Sequence, residues 1–209
     1  MISVDRLVVA VDGLSLLPTT TVSCDAGEAL IVRGHNGAGK STFLRVLAGI
    51  RVPTSGTATI DGAPISRREP AFRRRVASLI GLPPMASDLT VRDHVRLVAA
   101  TWFADRDVAE ERAADTLRSL GLDGLLRRFP HELSTGQQQL VGLALVLARP
   151  FDVLVLDEPE QRLDQERLDM VGDVLGQRRD AGAALVIATH SDDLAERLAD
   201  RVIDLGADR

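Results

Sequence analysis

The sequence predicts an α/β fold: a mainly parallel sheet flanked by helices, with an N-terminal antiparallel β subdomain and a helical insertion. Three observations lead there. Short apolar runs at Ala29–Arg33, Val153–Asp157 and 184–189 lack polar alternation, as strands covered on both faces do. Helical patterns follow at 40–48 and 165–179, and strand-then-helix repetition builds a doubly wound sheet. Segments 2–11, 14–24 and 57–61 read instead as strands joined by turn residues such as Asp12-Gly13 and Asp61-Gly62, the chemistry of hairpins.

The insertion comes next. From about residue 82 to 147 helical periodicity dominates, and Pro83-Pro84 marks its entry. Within 107–120, Val108, Ala113, Leu117 and Leu120 recur with charges between them. The chain, residues 1–209, therefore reads as a single domain with a core of 1–81 and 148–209 and a helical subdomain of about 82–147. That length buries a core without disulfide or metal staples.

Charge and cysteine usage narrow the function. A net charge of -5 argues against a polyanion partner, so no nucleic acid is expected. The basic cluster Arg67-Arg68 with Phe72-Arg73-Arg74-Arg75 lacks interleaved aromatics and reads as a solvated connecting segment. The lone Cys24 fits a reducing compartment. The start lacks the basic and apolar regions of a signal peptide. The longest apolar run, 140–148, falls well short of the roughly 20 residues a membrane helix needs. A cytoplasmic protein is expected, reaching a membrane only through a partner chain. His35, His94 and His131 show no metal-ligand spacing.

Gly34-His35-Asn36-Gly37-Ala38-Gly39-Lys40-Ser41 matches G-x-x-x-x-G-K-[ST] at every fixed position, directly after an apolar strand and opening a helix. Glycines let the backbone turn its N–H groups inward around phosphate oxygens. The helix presents its positive end to the same anion. Lys40 is placed to reach the β- and γ-phosphates, and the Ser41 hydroxyl to ligate Mg2+. Asp157 and Glu158 end the strand 153–157, at the sheet edge where a nucleotide lies. Asp157 is suited to the Mg2+ shell through water, and Glu158 to polarising the attacking water. By itself the pair also fits a solvated acidic turn. His190, ending another strand, fits either a γ-phosphate sensor or a loop residue before a helix capped by Ser191 or Asp192.

One further segment, Leu133-Ser134-Thr135-Gly136-Gln137-Gln138-Gln139, closely resembles the L-S-G-G-Q signature of the ATP-binding cassette (ABC) family. In order with the P-loop, Asp157-Glu158 and His190, it makes the chain similar to an ABC transporter ATP-binding subunit, a P-loop NTPase. The resemblance runs from Gly27-Glu28 to Asp200-Arg201-Val202-Ile203. It implies ATP and Mg2+ as ligands, with Gly34, His35, Asn36, Gly37, Ala38, Gly39, Lys40, Ser41 and Thr42 binding nucleotide. It implies Lys40, Glu158 and His190 as the catalytic set. It implies that Ser134, Thr135, Gly136 and Gln137 act in trans on the nucleotide of a second subunit, and that Asp164 crosses the dimer interface; Asp164 also suits a helix N-cap. The implied partners are a separately encoded membrane permease and a second ATPase subunit, in a homodimer or heterodimer peripheral to the inner face of the cell membrane. The alternative within the family is a low-turnover ATP-dependent clamp, or the degenerate half of a heterodimer. Soluble family members acting on ribosomes or DNA usually carry two cassettes or a coiled-coil insertion, and neither is read here. The small size and the short tail after Asp204 resemble export-type or cofactor-export subunits more than sugar importers.

Several positions depart from the family pattern. The glutamine that opens the helical insertion is replaced by Gly81. The adenine-stacking aromatic has no counterpart near Val11-Asp12-Gly13; the chain has no tyrosine, and its first aromatic is Phe43. Thr135 stands at the signature's first glycine, where a β-branched side chain crowds the backbone. Leu140 and Leu145 replace two arginines. Glu160-Gln161-Arg162 replaces small residues, adding charge that either repels, pairs with a specific partner, or is simply solvated.

Overall fold

In the computed structural model, residues 1–206 are described. The chain begins with strands β1 (Ile2–Val11), β2 (Leu14–Cys24) and β3 (Ala29–Arg33), then helix α1 (Lys40–Leu47). Next come β4 (Ser55–Ile60), β5 (Ala63–Pro64), α2 (Pro70–Arg75) and β6 (Val76–Ile80). Three helices follow: α3 (Val91–Trp102), α4 (Arg106–Ser119) and α5 (Thr135–Leu147). The chain then alternates through β7 (Val153–Asp157), α6 (Gln165–Asp180), β8 (Ala184–Ala188), α7 (Asp192–Leu198) and β9 (Arg201–Asp204).

Two sheets result. The antiparallel one has the order β2-β1-β4-β5, its first hairpin closed by Asp12 and Gly13, both at positive φ as a primed two-residue turn requires. The other is parallel, in the order β6-β7-β8-β3-β9. Strands β3, β7 and β8 are the three apolar runs, and the edge strands β6 and β9 complete the sheet. Its register positions everything that follows. Ile80 lies beside Asp157, Asp157 beside Ala188, and Ala188 beside Val32. The segments beginning at Gly34, Gly81, Glu158 and Thr189 therefore all leave one edge of the sheet.

The parallel sheet is buried on both faces. Leu30, Val32, Val155 and Val186 meet Phe43 and Leu47 of α1 and Leu7 and Leu17 of the antiparallel sheet. Leu154, Leu156, Leu185 and Ile187 meet Val95, Leu117, Leu143 and Leu147, so α3, α4 and α5 share a core with the sheet. Leu140 is buried in that cluster and Leu145 packs against it, so the two lost arginines have become apolar packing.

The entry to α3 is built by local chemistry. Thr90 and Asp93 form a reciprocal capping box, and the Thr90 hydroxyl, as the leading cause, holds the Asp93 carboxyl below the usual carboxylate range. Buried His94 accepts the Ala86 N–H at Nε2, 2.9 Å away, and its Nδ1 lies 2.9 Å from the Thr90 carbonyl. Those roles assign a neutral ring protonated at Nδ1, which fastens the loop after β6 to the helix.

The basic segment before β6 departs from the solvated reading. Phe72 is buried, and Arg75 bridges Asp61 and Asp152. Helical periodicity across six residues was too short a signal for α2, and the acids Arg75 pairs with are distant in sequence.

Candidate active site

The phosphate loop joins β3 to α1 at the shared sheet edge. Gly34, Gly37 and Gly39 all take positive φ. At two of them the space is also closed: a Cβ at Gly34 meets the Leu205 carbonyl oxygen at 2.5 Å, and one at Gly39 meets that of Leu16 at 2.6 Å. Lys40 is buried, and its ammonium donates to the Gly34 and His35 carbonyls at 2.7 and 3.3 Å. The side chain thus crosses the concave side of its own loop. His35 is exposed, with Nδ1 2.8 Å from the Asn36 carbonyl. Ser41 and Thr42 occupy the first turn of α1, both half-buried.

A cleft of about 430 Å3 brings Ser41, Asp157 and Glu158 together with Gly81, Gln139 and Gln161. A larger cleft of about 700 Å3 lies elsewhere, between α1 and the antiparallel sheet, and holds none of the candidate catalytic groups. Glu158 has φ +49, a left-handed conformation that a non-glycine residue keeps only when its surroundings impose it. Those surroundings are visible. The Glu158 N–H donates to Ala188 at 2.8 Å, and the Gln139 amide donates to the Glu158 and Pro159 carbonyls at 3.3 and 3.4 Å. His190 Nε2 is 3.4 Å from a Glu158 carboxylate oxygen, and the Gln161 amide donates to the other at 3.1 Å. The bent backbone therefore aims Glu158 across the cleft toward His190.

Within the 160–162 segment, Glu160 finds partners in its own chain, while Arg162 is exposed. Glu160 is half-buried, and one carboxylate oxygen accepts from the Thr189 hydroxyl at 2.6 Å and from the His190 N–H at 2.9 Å. Glu160 and Gln161 each hold one partner of the Glu158–His190 pair. Glu160 does so from 30 residues away in sequence and Gln161 from three. For His190, the Ser191 side chain caps α7, while Asp192 pairs with Arg33 at 2.8 Å.

The signature residues stand outside the cleft, at the start of α5. Ser134 and Gln137 cap the helix reciprocally, Ser134 accepting from the Gln137 N–H and Gln137 from the Ser134 N–H. The Thr135 and Gly136 N–H groups have no intrahelical partner, as first-turn donors do not. Thr135 is exposed, so its side chain crowds nothing within the chain. Close approach falls instead at Gly136, where a Cβ meets the Arg162 carbonyl oxygen at 2.4 Å. Asp164 N-caps α6 through the Arg167 N–H at 3.0 Å. Gly81 has φ +74, which a side chain rarely adopts, so a glutamine at this position would be strained.

The structure thus gathers Ser41, Asp157, Glu158 and His190 around one cleft with Lys40 on the adjoining loop, and sets the signature and Asp164 apart. It adds Gln139, Glu160 and Gln161. Glu160 and Gln161 showed in the sequence as polar residues where small ones are usual, and Gln139 only as part of the signature segment; what the three hold is visible only in the fold.

A strand-loop-helix phosphate cradle beside two carboxylates, on a parallel sheet with an antiparallel sheet and a helical insertion, defines a P-loop ATPase. The sequence profile of the ABC transporter family matches residues 17–161, and the chain belongs to that family. It is 36% identical over 209 aligned positions to an ABC transporter ATP-binding protein of Brucella suis, covering 98% of this chain and 85% of that one. It is 36% identical to the thiamine import ATP-binding protein ThiQ of Escherichia coli O157:H7, covering 88% and 79%. An ATP-binding cassette solved as a dimer in a post-hydrolysis state with ADP and Pi superposes with a TM-score of 0.87, at 22% identity, covering 98% and 94%. The chain is an ATP-binding subunit of an ABC transporter, and an ATPase.

Proposed function

We propose that this chain hydrolyses ATP to drive a separately encoded membrane permease, working head to tail with a second ATPase subunit, of the same or a paired chain. The observation that carries this reading is the cleft joining Ser41, Asp157 and Glu158, with His190 3.4 Å from the Glu158 carboxylate. In the reaction, water attacks the γ-phosphorus and the bond to the ADP oxygen breaks. Glu158 takes the water's proton, Lys40 and the loop N–H groups hold the phosphates, and His190 contacts the γ-phosphate. Among the described residues no group of three or more His, Cys, Asp or Glu converges on a metal. One hydroxyl and one carboxylate suit Mg2+, which binds with phosphate oxygens and keeps several waters. Ser41 would hold the ion directly and Asp157 through water, and the ion would neutralise phosphate charge.

The signature helix start fits a second anion site, because Thr135 and Gly136 offer free N–H groups outside their own cleft. Asp164 lies at the same surface. No helix among the described residues is long and apolar enough to cross a membrane, in keeping with a cytoplasmic subunit held at the inner face by the permease. The thiamine relative is an importer by name, which weighs against the export-type reading of the tail.

Sedimentation of the Glu158→Gln chain tests the pairing. The mass should double with Mg–ATP and not with Mg–ADP; a monomer that holds ATP contradicts self-pairing.

The base contact is aliphatic in this reading. Val11 and Leu14 flank the first hairpin turn and are exposed, and β2 reaches the phosphate loop where Leu16 meets Gly39. Adding a ring should help, since base–aromatic stacking contributes about 1–3 kcal/mol. Val11→Tyr is expected to tighten ATP binding at least about fivefold without changing tripolyphosphate binding, measured by calorimetric titration. Unchanged ATP affinity would place the base elsewhere.

A further inference from the structure

The catalytic groups occupy the edge of the parallel sheet where β7 and β8 end. At the opposite edge, where those strands begin, a third cleft of about 480 Å3 is lined by five arginines and one acid. The acid, Asp152, is already paired with Arg75 at 2.8 Å, and Arg75 also holds Asp61. The other four, Arg74, Arg112, Arg149 and Arg178, come from α2, α4, the segment after α5, and α6. Among the described residues none of these four has a carboxylate within ion-pair distance.

Arg112, Arg149 and Arg178 are half-buried and Arg74 is exposed; like charges gathered from separate elements repel one another, and charges withdrawn from water are normally paired. Withdrawal from water, more than repulsion, registers on two of the groups. Burial, then neighbouring Arg67, pushes Arg149 down to about 10, and burial, then Arg112, lowers Arg178. Two of the four are nonetheless held in place. Arg149 stacks 4.0 Å over the Trp102 ring, donates to the Arg73 carbonyl, and keeps a buried Nε without a hydrogen-bond partner. Arg112 lies over the Phe103 ring at 5.8 Å. Fixed guanidinium forks are suited to phosphate oxygens, which they bind in pairs. The chain's net negative charge and the concave, local shape of the cleft fit a compact anion better than an extended nucleic-acid backbone.

We propose that this cleft binds a free polyanion carrying two or more phosphate groups, at a site separate from the phosphate loop. The loop is weakened first by Lys40→Ala, and inorganic tripolyphosphate is titrated into that protein by calorimetry. Binding near one equivalent is expected, with affinity falling at least tenfold when Arg112→Gln and Arg178→Gln are added. Should the double variant fold poorly by circular dichroism, Arg112→Gln alone, on the half-buried face of α4, is expected to weaken binding severalfold. No binding to the Lys40→Ala protein, or binding that survives the arginine substitutions unchanged, overturns the proposal. Binding seen only on vesicles bearing phosphoinositides, and not with tripolyphosphate, also overturns it.

Discussion

Glu158→Gln is expected to keep nucleotide binding and to lower phosphate release by at least about 100-fold, the low end of what a positioned general base contributes. The substitution changes little else. Glutamine preserves the side chain's shape, and the contacts that impose the bent backbone go to main-chain atoms: the Glu158 N–H to Ala188, and the Gln139 amide to the Glu158 carbonyl. What is lost is the carboxylate that can accept water's proton. Rapid-quench measurement of phosphate release, with nucleotide affinity measured in parallel, separates chemistry from binding. Undiminished release would remove Glu158 from the base role and leave His190 as the nearest candidate.

The second large effect is expected at Gly136. An added methyl meets the Arg162 carbonyl oxygen at 2.4 Å, and because both groups are main chain, no rotamer change relieves the clash. Either the start of α5 or the turn through Glu158–Leu163 must move. Three residues further along α5, Gln139 holds the Glu158 and Pro159 carbonyls, so either movement shifts the base. Overpacking of this kind costs about 1–3 kcal/mol. A displacement near 1 Å at a catalytic group costs on the order of 100-fold in rate. Gly136→Ala should therefore lower the denaturation midpoint and cut turnover more than tenfold at saturating ATP. Wild-type stability and turnover together would mean that the α5 start is looser than this packing.

Much of the fold was legible because its signals are local. The buried strands announced themselves as apolar runs, and the phosphate loop as glycines and a lysine between a strand and a helix. The first hairpin was legible from Asp12-Gly13, whose residues take the positive φ the turn needs. Strand β6 was less so, because its five residues, Val76–Ile80, follow a basic stretch whose Arg75 pairs with the distant Asp61 and Asp152.

In the site, Ser41, Asp157 and Glu158 were legible from motif and strand end. Gln139, Glu160 and Gln161 were not. Glu160 looks like loop charge until β8 is placed beside β7, which brings Thr189 and His190 within its reach. Gln139 lies on the signature helix, yet it acts on a turn 19 residues away in sequence. The arginine cleft is the extreme case, since its members lie on four elements between residues 74 and 178 and meet only in the fold. Long-range pairing of side chains leaves no periodic or positional trace in a single sequence.

The most direct test is steady-state phosphate release from Mg–ATP by the purified chain, compared with Lys40→Ala. Release that saturates with ATP and falls to background in the variant is the predicted result. ATP bound by the wild-type chain with no release above the variant would contradict a hydrolytic site built from Lys40, Glu158 and His190.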